Sequence, residues 1–133
     1  MAQFPKVRSC ITCDFVREET AGKLTLMGMS GVLPEVTLSI KDFSQIINIT
    51  FVVATEPAET TANVPVSVEI LKGNATVLAM TQVFVMDLER GRPALMAIQL
   101  ATKYPSPGQY KFRIYADGTL AYGELFNLQQ AAL

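Results

Sequence analysis

Apolar and polar residues alternate with period two along most of this chain. Val7, Ile11, Cys13 and Phe15 alternate with Arg8, Cys10, Thr12 and Asp14, which predicts a strand over 7–16. A polar turn over 17–22 leads to a second strand, 23–29, paired with the first as an antiparallel hairpin. Pro34 breaks the mixed stretch over 30–44, which has room for a short edge strand near 36–40. Over 45–54, Ile47, Ile49, Phe51 and Val53 share one face, with Asn48 and Thr50 on the other. After a loop over 56–63, Val64, Val66, Val68 and Ile70 alternate with Pro65, Ser67 and Glu69. Gly73-Asn74 reads as a tight turn into a return strand over 76–86. That strand is apolar on both sides, with Ala79, Val83 and Val85 on one and Leu78, Met80, Phe84 and Met86 on the other.

The segment 94–102 is open to two readings. Pro93 suits the first position of a helix, and Ala, Leu, Met and Gln are good helix formers. Yet Ala94, Met96, Ile98 and Leu100 also alternate, and strand is preferred because the surrounding rhythm is all strand. Tyr110, Phe112 and Ile114 alternate with Lys111, Arg113 and Tyr115. Asp117-Gly118 then supplies a two-residue turn, with Gly118 as a structural residue, and Leu120, Tyr122, Phe126 and Leu128 lie on the partner strand. The tail over 129–133 is expected to fray. About eight strands, frequent turns and no sustained helical period point to an all-β fold: an antiparallel β-sandwich, immunoglobulin-like, in a single domain over 1–133. A small barrel is the second choice.

Composition narrows the function more by exclusion than by assignment. The 133 residues carry 11 Lys plus Arg against 12 Asp plus Glu, a net charge of −1. A protein that binds nucleic acid by releasing counterions needs a basic face, so no nucleic-acid partner is expected. No uncharged run of about 20 apolar residues exists to span a membrane. Charges at Lys6, Arg8, Asp14 and Arg17 interrupt any leader-like core, which leads to an expectation of cytoplasmic residence. Hydrophobic residues make up 50% of the chain and charged ones 17%. That excludes disorder and leaves little charge to cover the outside.

Cys10 and Cys13 have CxxC spacing. On a strand, residues three apart face opposite ways and lie about 10 Å apart, too far for a disulfide. Zinc wants four nitrogen or sulfur ligands, and the chain has two cysteines and no histidine. Cys13 is therefore read as a structural core thiol, with Cys10 on the other face. Without histidine, Gly28-Met29-Ser30-Gly31 lacks a base, and its glycine spacing is not that of a nucleophile elbow. Asp14, Glu18 and Glu19, or Asp87 and Glu89, could serve as an acid/base pair or hold calcium. Arg17 beside the first group, and Arg90 and Arg92 beside the second, favour solvated turn charge instead. No catalytic residue, cofactor or metal is expected.

Two segments resemble a known family. Cys13-Asp14-Phe15-Val16-Arg17-Glu18-Glu19, followed by Gly22-Lys23-Leu24-Thr25-Leu26-Met27-Gly28, resembles the opening of an uncharacterised bacterial family of about this length. Pro107-Gly108-Gln109-Tyr110 and the Asp117-Gly118 hairpin look like its C-terminal half. The resemblance covers most of the chain, though the middle is not distinctive. It implies a β-sandwich and cytoplasmic residence, and it carries no activity. Pro107-Gly108-Gln109-Tyr110 also resembles the tyrosine corner of immunoglobulin-like sandwiches, in which Tyr110 would be structural; an ordinary strand-opening tyrosine is the alternative.

The apolar surplus is the feature that leans toward function. Met27, Met29, Met80, Phe84 and Met86 form a candidate interface, since methionines suit an adaptable contact and exposed apolar patches mark binding sites. The leading expectation is a non-catalytic module that acts through protein–protein contact, with itself as a homo-oligomer or as an assembly subunit. A small-molecule binding module, with its pocket between the sheets or at the loop end, is second. A carboxylate- or metal-dependent enzyme is least favoured.

Overall fold

Branching at Cβ restricts χ1 and suits a pleated surface, so valine and isoleucine at every second position hold the backbone extended. In the computed structural model, which describes residues 4–73 and 76–132, this rule writes most of the chain as strand. The strands are β1 (Val7–Cys13), β2 (Phe15–Glu18), β3 (Leu24–Met27), β4 (Gly31–Val32), β5 (Thr37–Ile40) and β6 (Ile47–Pro57). They continue with β7 (Ala62–Lys72), β8 (Thr76–Met80), β9 (Phe84–Leu88), β10 (Pro93–Thr102), β11 (Gly108–Ala116) and β12 (Thr119–Gln130). Residues 94–102 are strand, and Met96, Ile98 and Leu100 are buried on one face of it. Asn74 of the expected turn after Lys72 lies outside the described residues.

One sheet has the order β10-β6-β1-β4. The larger sheet runs β5-β12-β11-β7-β8, and β9 pairs with the other half of β7. The two sheets share one buried cluster. Phe51 of β6 stacks on Phe112 of β11 with ring centroids 4.3 Å apart, and meets Phe126 of β12 edge-on at 5.6 Å. Val64, Val66, Val68 and Ile70 line the β7 side, all essentially without solvent exposure. A hydrogen bond of 3.2 Å from the Thr102 hydroxyl to the Leu78 carbonyl ties the edge strands β10 and β8 across the two sheets.

Four expectations are corrected. The fold is all-β, but the larger sheet is mixed, because β5 runs parallel to β12. That pairing holds the C-terminal segment, which does not fray up to Gln130: its side-chain amide donates to the Ile40 and Lys41 carbonyls. The first predicted strand divides at Asp14. Its first part pairs with β6 and β4, and only its second part, β2, forms the hairpin with β3.

The two cysteines exchange roles. Residues directly opposite on paired strands share a face. Cys10 is opposite Val53 and Thr12 is opposite Phe51, so the side of β6 that carries the core aromatics draws Cys10 inward. Cys13 faces the other way, opposite Thr50, and is buried there.

Candidate binding cleft

Sheet edges are where a β protein leaves backbone groups unspent. Strand β5 is such an edge. The Asn127 N–H donates to the Val36 carbonyl and the Ala131 N–H to the Ile40 carbonyl. In a parallel ladder, alternate residues of a strand bond to the same neighbour. The main-chain groups of Thr37 and Ser39 therefore face away from β12, along the free edge. That edge borders a cleft of about 380 Å³ whose other walls are the ends of β1 and β6.

The cleft has two kinds of lining. Leu38 and Ile40 from β5, with Ile47 and Ile49 from β6, supply an aliphatic wall. Thr12, Ser30, Thr37, Ser39 and Asn48 supply neutral polar groups, and Asp14 is the one charged residue. Thr12 is fully buried where it borders the cleft, and its hydroxyl has no hydrogen-bond partner. A buried hydroxyl without a partner costs about 1–3 kcal/mol, and Thr50, Tyr104 and Arg113 keep other such atoms elsewhere. Cys13 also lines the cleft. Burial pushes its thiol above the ordinary range, helped by the Asp14 carboxylate and opposed by a hydrogen bond from the Phe15 backbone. Burial raises the Cys10 thiol much further. Both directions favour the protonated thiol at neutral pH. A second recess of about 360 Å³ lies between the β2–β3 hairpin and β10, bounded by Lys23, Leu24, Leu95 and Ala97 among others.

The five residues proposed as an interface are not brought together as one surface. The expected single strand over 76–86 is interrupted between β8 and β9. There the Thr81 hydroxyl accepts the Val68 N–H at 2.9 Å, replacing a ladder bond with a side-chain one. The interruption resets the alternation. Met80 is 62% exposed, whereas Phe84 and Met86 turn inward and pack on the core. Val83 and Val85 point outward in their place, at 68% and 63% exposure. Met27 and Met29 are exposed at the far end of the β2–β3 hairpin.

Tyr110 is fully buried, and its hydroxyl donates to the Ser106 carbonyl four residues upstream. Gly118 has φ 77° and Asp117 φ 53°, the left-handed pair that a two-residue type I′ turn requires. Of the carboxylate groups, Glu19 pairs with Arg17 at 2.7 Å and Glu89 with Arg92 at 3.6 Å. No group of three or more His, Cys, Asp or Glu suited to a metal occurs among the described residues. Among the same residues, no helix is long and apolar enough to cross a membrane.

Sequence reasoning missed both the cleft and a polar cluster on the outer face of the larger sheet. In that cluster the Tyr115 hydroxyl donates to Glu69 at 2.8 Å, and Arg113 approaches the same carboxylate oxygen at 3.8 Å. The strict alternation of β7 and β11 could have revealed it. Glu69 and Arg113 sit at outward positions, directly opposite each other in register.

No family model matches this chain, and no curated protein matches it. Among solved structures it is similar to an alkylpurine DNA glycosylase of Pseudomonas fluorescens bound to DNA containing an abasic site analogue. The TM-score is 0.46 at 16% identity, and the match covers 73% of this chain and 28% of that one. This finding stands against the expectation of a non-catalytic protein-contact module and against the exclusion of a nucleic-acid partner, and both are withdrawn. A likeness at this TM-score gives this chain neither DNA binding nor glycosylase chemistry.

Proposed function

We propose that this protein binds a small organic molecule, with an aliphatic body and a polar head, in the cleft beside β5. The carrying observation is a cleft that sets the aliphatic side chains of Leu38, Ile40, Ile47 and Ile49 beside neutral polar residues, among them Thr12, whose buried hydroxyl has no partner. The cleft's volume of about 380 Å³ lies within the range of about 300–1,000 Å³ usual for small-molecule sites, and its lining is about evenly aliphatic and polar. The free main-chain edge of β5 adds donors and acceptors that a ligand's polar head can use. The immunoglobulin-like sandwich belongs to the same proposal, supported by the aromatic stack that joins the two sheets. So does cytoplasmic residence, supported by two cysteines that carry free thiols.

Thr12→Val is the test, because it removes the hydroxyl and keeps the shape. With no ligand present, the variant is expected to be more stable by about 1 kcal/mol, since an unsatisfied polar group has gone. Butanol serves as the probe in heteronuclear NMR, where the amides of Thr12, Leu38 and Ile49 should shift in the parent protein. The variant should bind butanol several-fold more weakly. A Thr12→Val variant destabilised by about 1 kcal/mol or more would show that the hydroxyl already serves the fold, and the reading would be lost.

A further inference from the structure

The charge lining the cleft narrows the ligand class, an inference that rests on the cleft reading above. Five polar residues of the lining are neutral, and Asp14 is its sole acidic or basic side chain apart from the Cys13 thiol. No Lys or Arg nitrogen among the described residues lies within 4.0 Å of the Asp14 carboxylate. Its backbone is fixed, since the Asp14 N–H donates to both the Met27 and Gly28 carbonyls, at 3.1 and 3.2 Å. Gly28 opposite gives the side chain room: a Cβ built there would fall 2.2 Å from an Asp14 carboxylate oxygen. The carboxylate is thus held against the β1–β2 junction, at the cleft, without a counter-charge.

From this we infer that the ligand is an organic cation, a primary ammonium on a short aliphatic chain. The chain lies on Leu38, Ile40, Ile47 and Ile49, and the ammonium sits at Asp14. An ammonium offers three donors and no acceptor, which matches a carboxylate together with threonine and serine hydroxyls. An anion would meet an unpaired like charge and no compensating cation. Asp14 is exposed, so water screens the attraction, and the expected preference for a cation over a neutral analogue is about fivefold.

Three probes of equal length separate the possibilities: butylammonium, butanol and butyrate, each titrated into the labelled protein and followed by amide shifts around the cleft. The expected order of affinity is butylammonium, then butanol, then butyrate. Asp14→Asn should bring butylammonium down to the level of butanol. Butyrate binding as well as butylammonium would overturn the inference and leave the cleft reading standing, as would an Asp14→Asn variant that keeps the full cation preference. If no probe shifts the cleft amides, the inference fails together with the reading beneath it.

Discussion

Phe51→Ala tests the joint between the two sheets. Phe51 lies on a central strand of the smaller sheet, and its ring is fully buried against Phe112 and Phe126 of the larger one. Burying a phenylalanine removes about 150–250 Å² from water, which at about 25 cal/mol per Å² corresponds to roughly 4–6 kcal/mol. Measured truncations of this kind cost about 3–5 kcal/mol, because neighbours relax into part of the space. We take about 4 kcal/mol. Unfolding entropy near 60 °C is about 2.1 cal/mol/K per residue, so this chain should lose about 14 °C of melting temperature. Urea melts of Phe51→Ala, with Val85→Ala as a control at an exposed strand position, measure it directly. The control should stay within about 0.5 kcal/mol. A double-mutant cycle with Phe112→Ala should return a coupling of about 0.5–1.5 kcal/mol. A loss under about 1.5 kcal/mol for Phe51→Ala, with no coupling, would mean that the sheets do not share this core and that the proposed sandwich is wrong.

Two further outcomes follow from backbone geometry and burial. Gly118→Val places a branched residue at φ 77° and should cost about 1–2 kcal/mol in a thermal melt, while Gly118→Asn, which tolerates that conformation, should cost clearly less. Burial raises both thiols in the folded protein, so unfolding releases their protons once the pH passes the free-thiol range near about 8.5. Their contribution is complete below that pH and declines above it, for the deeply buried Cys10 thiol by up to about 1.4 kcal/mol per pH unit. Cys10→Ala should remove one thiol's share of that slope in urea melts between about pH 8.5 and pH 10; an unchanged slope would refute it.

The legible part of the fold is the part where one face is buried and the other is not. Val64 to Ile70 and Tyr110 to Ile114 alternate because water lies on one side only, and the period survives in the sequence. Residues 94–102 were ambiguous because propensity favoured helix, and burial of Met96, Ile98 and Leu100 against the opposite sheet overrode it. Where a strand is buried or exposed on both sides, the period gives no phase. Thr76 to Met86 is the example: the break comes at Thr81, whose hydroxyl bonds the Val68 N–H of the neighbouring strand β7. Nothing local to residues 76–86 signals that bond. The cysteines failed for a related reason. The alternation of β1 says that Cys10 and Cys13 face apart, but only the register against Phe51 and Val53 says which of them faces in.

The cleft was hidden because none of its features is local. Thr12, Thr37, Ser39 and Asn48 each read as an ordinary polar position on a strand, and each segment would be unremarked in any β protein. They meet because β5 pairs parallel with β12, a connection that short-range turn signals do not encode. The same pairing decides which edge of β5 is left free, and so which main-chain groups border the cleft. Asp14 carries the clearest trace that sequence reasoning passed over. It ends one strand and precedes another without a glycine or proline to explain the break. The reason lies across the hairpin, where Gly28 at φ 66° leaves space for the carboxylate and its carbonyl accepts the Asp14 N–H. A charged residue that interrupts a strand, matched to a distant glycine that makes room for it, is the kind of pairing on which a site of this sort is built. It shows only once the register is known.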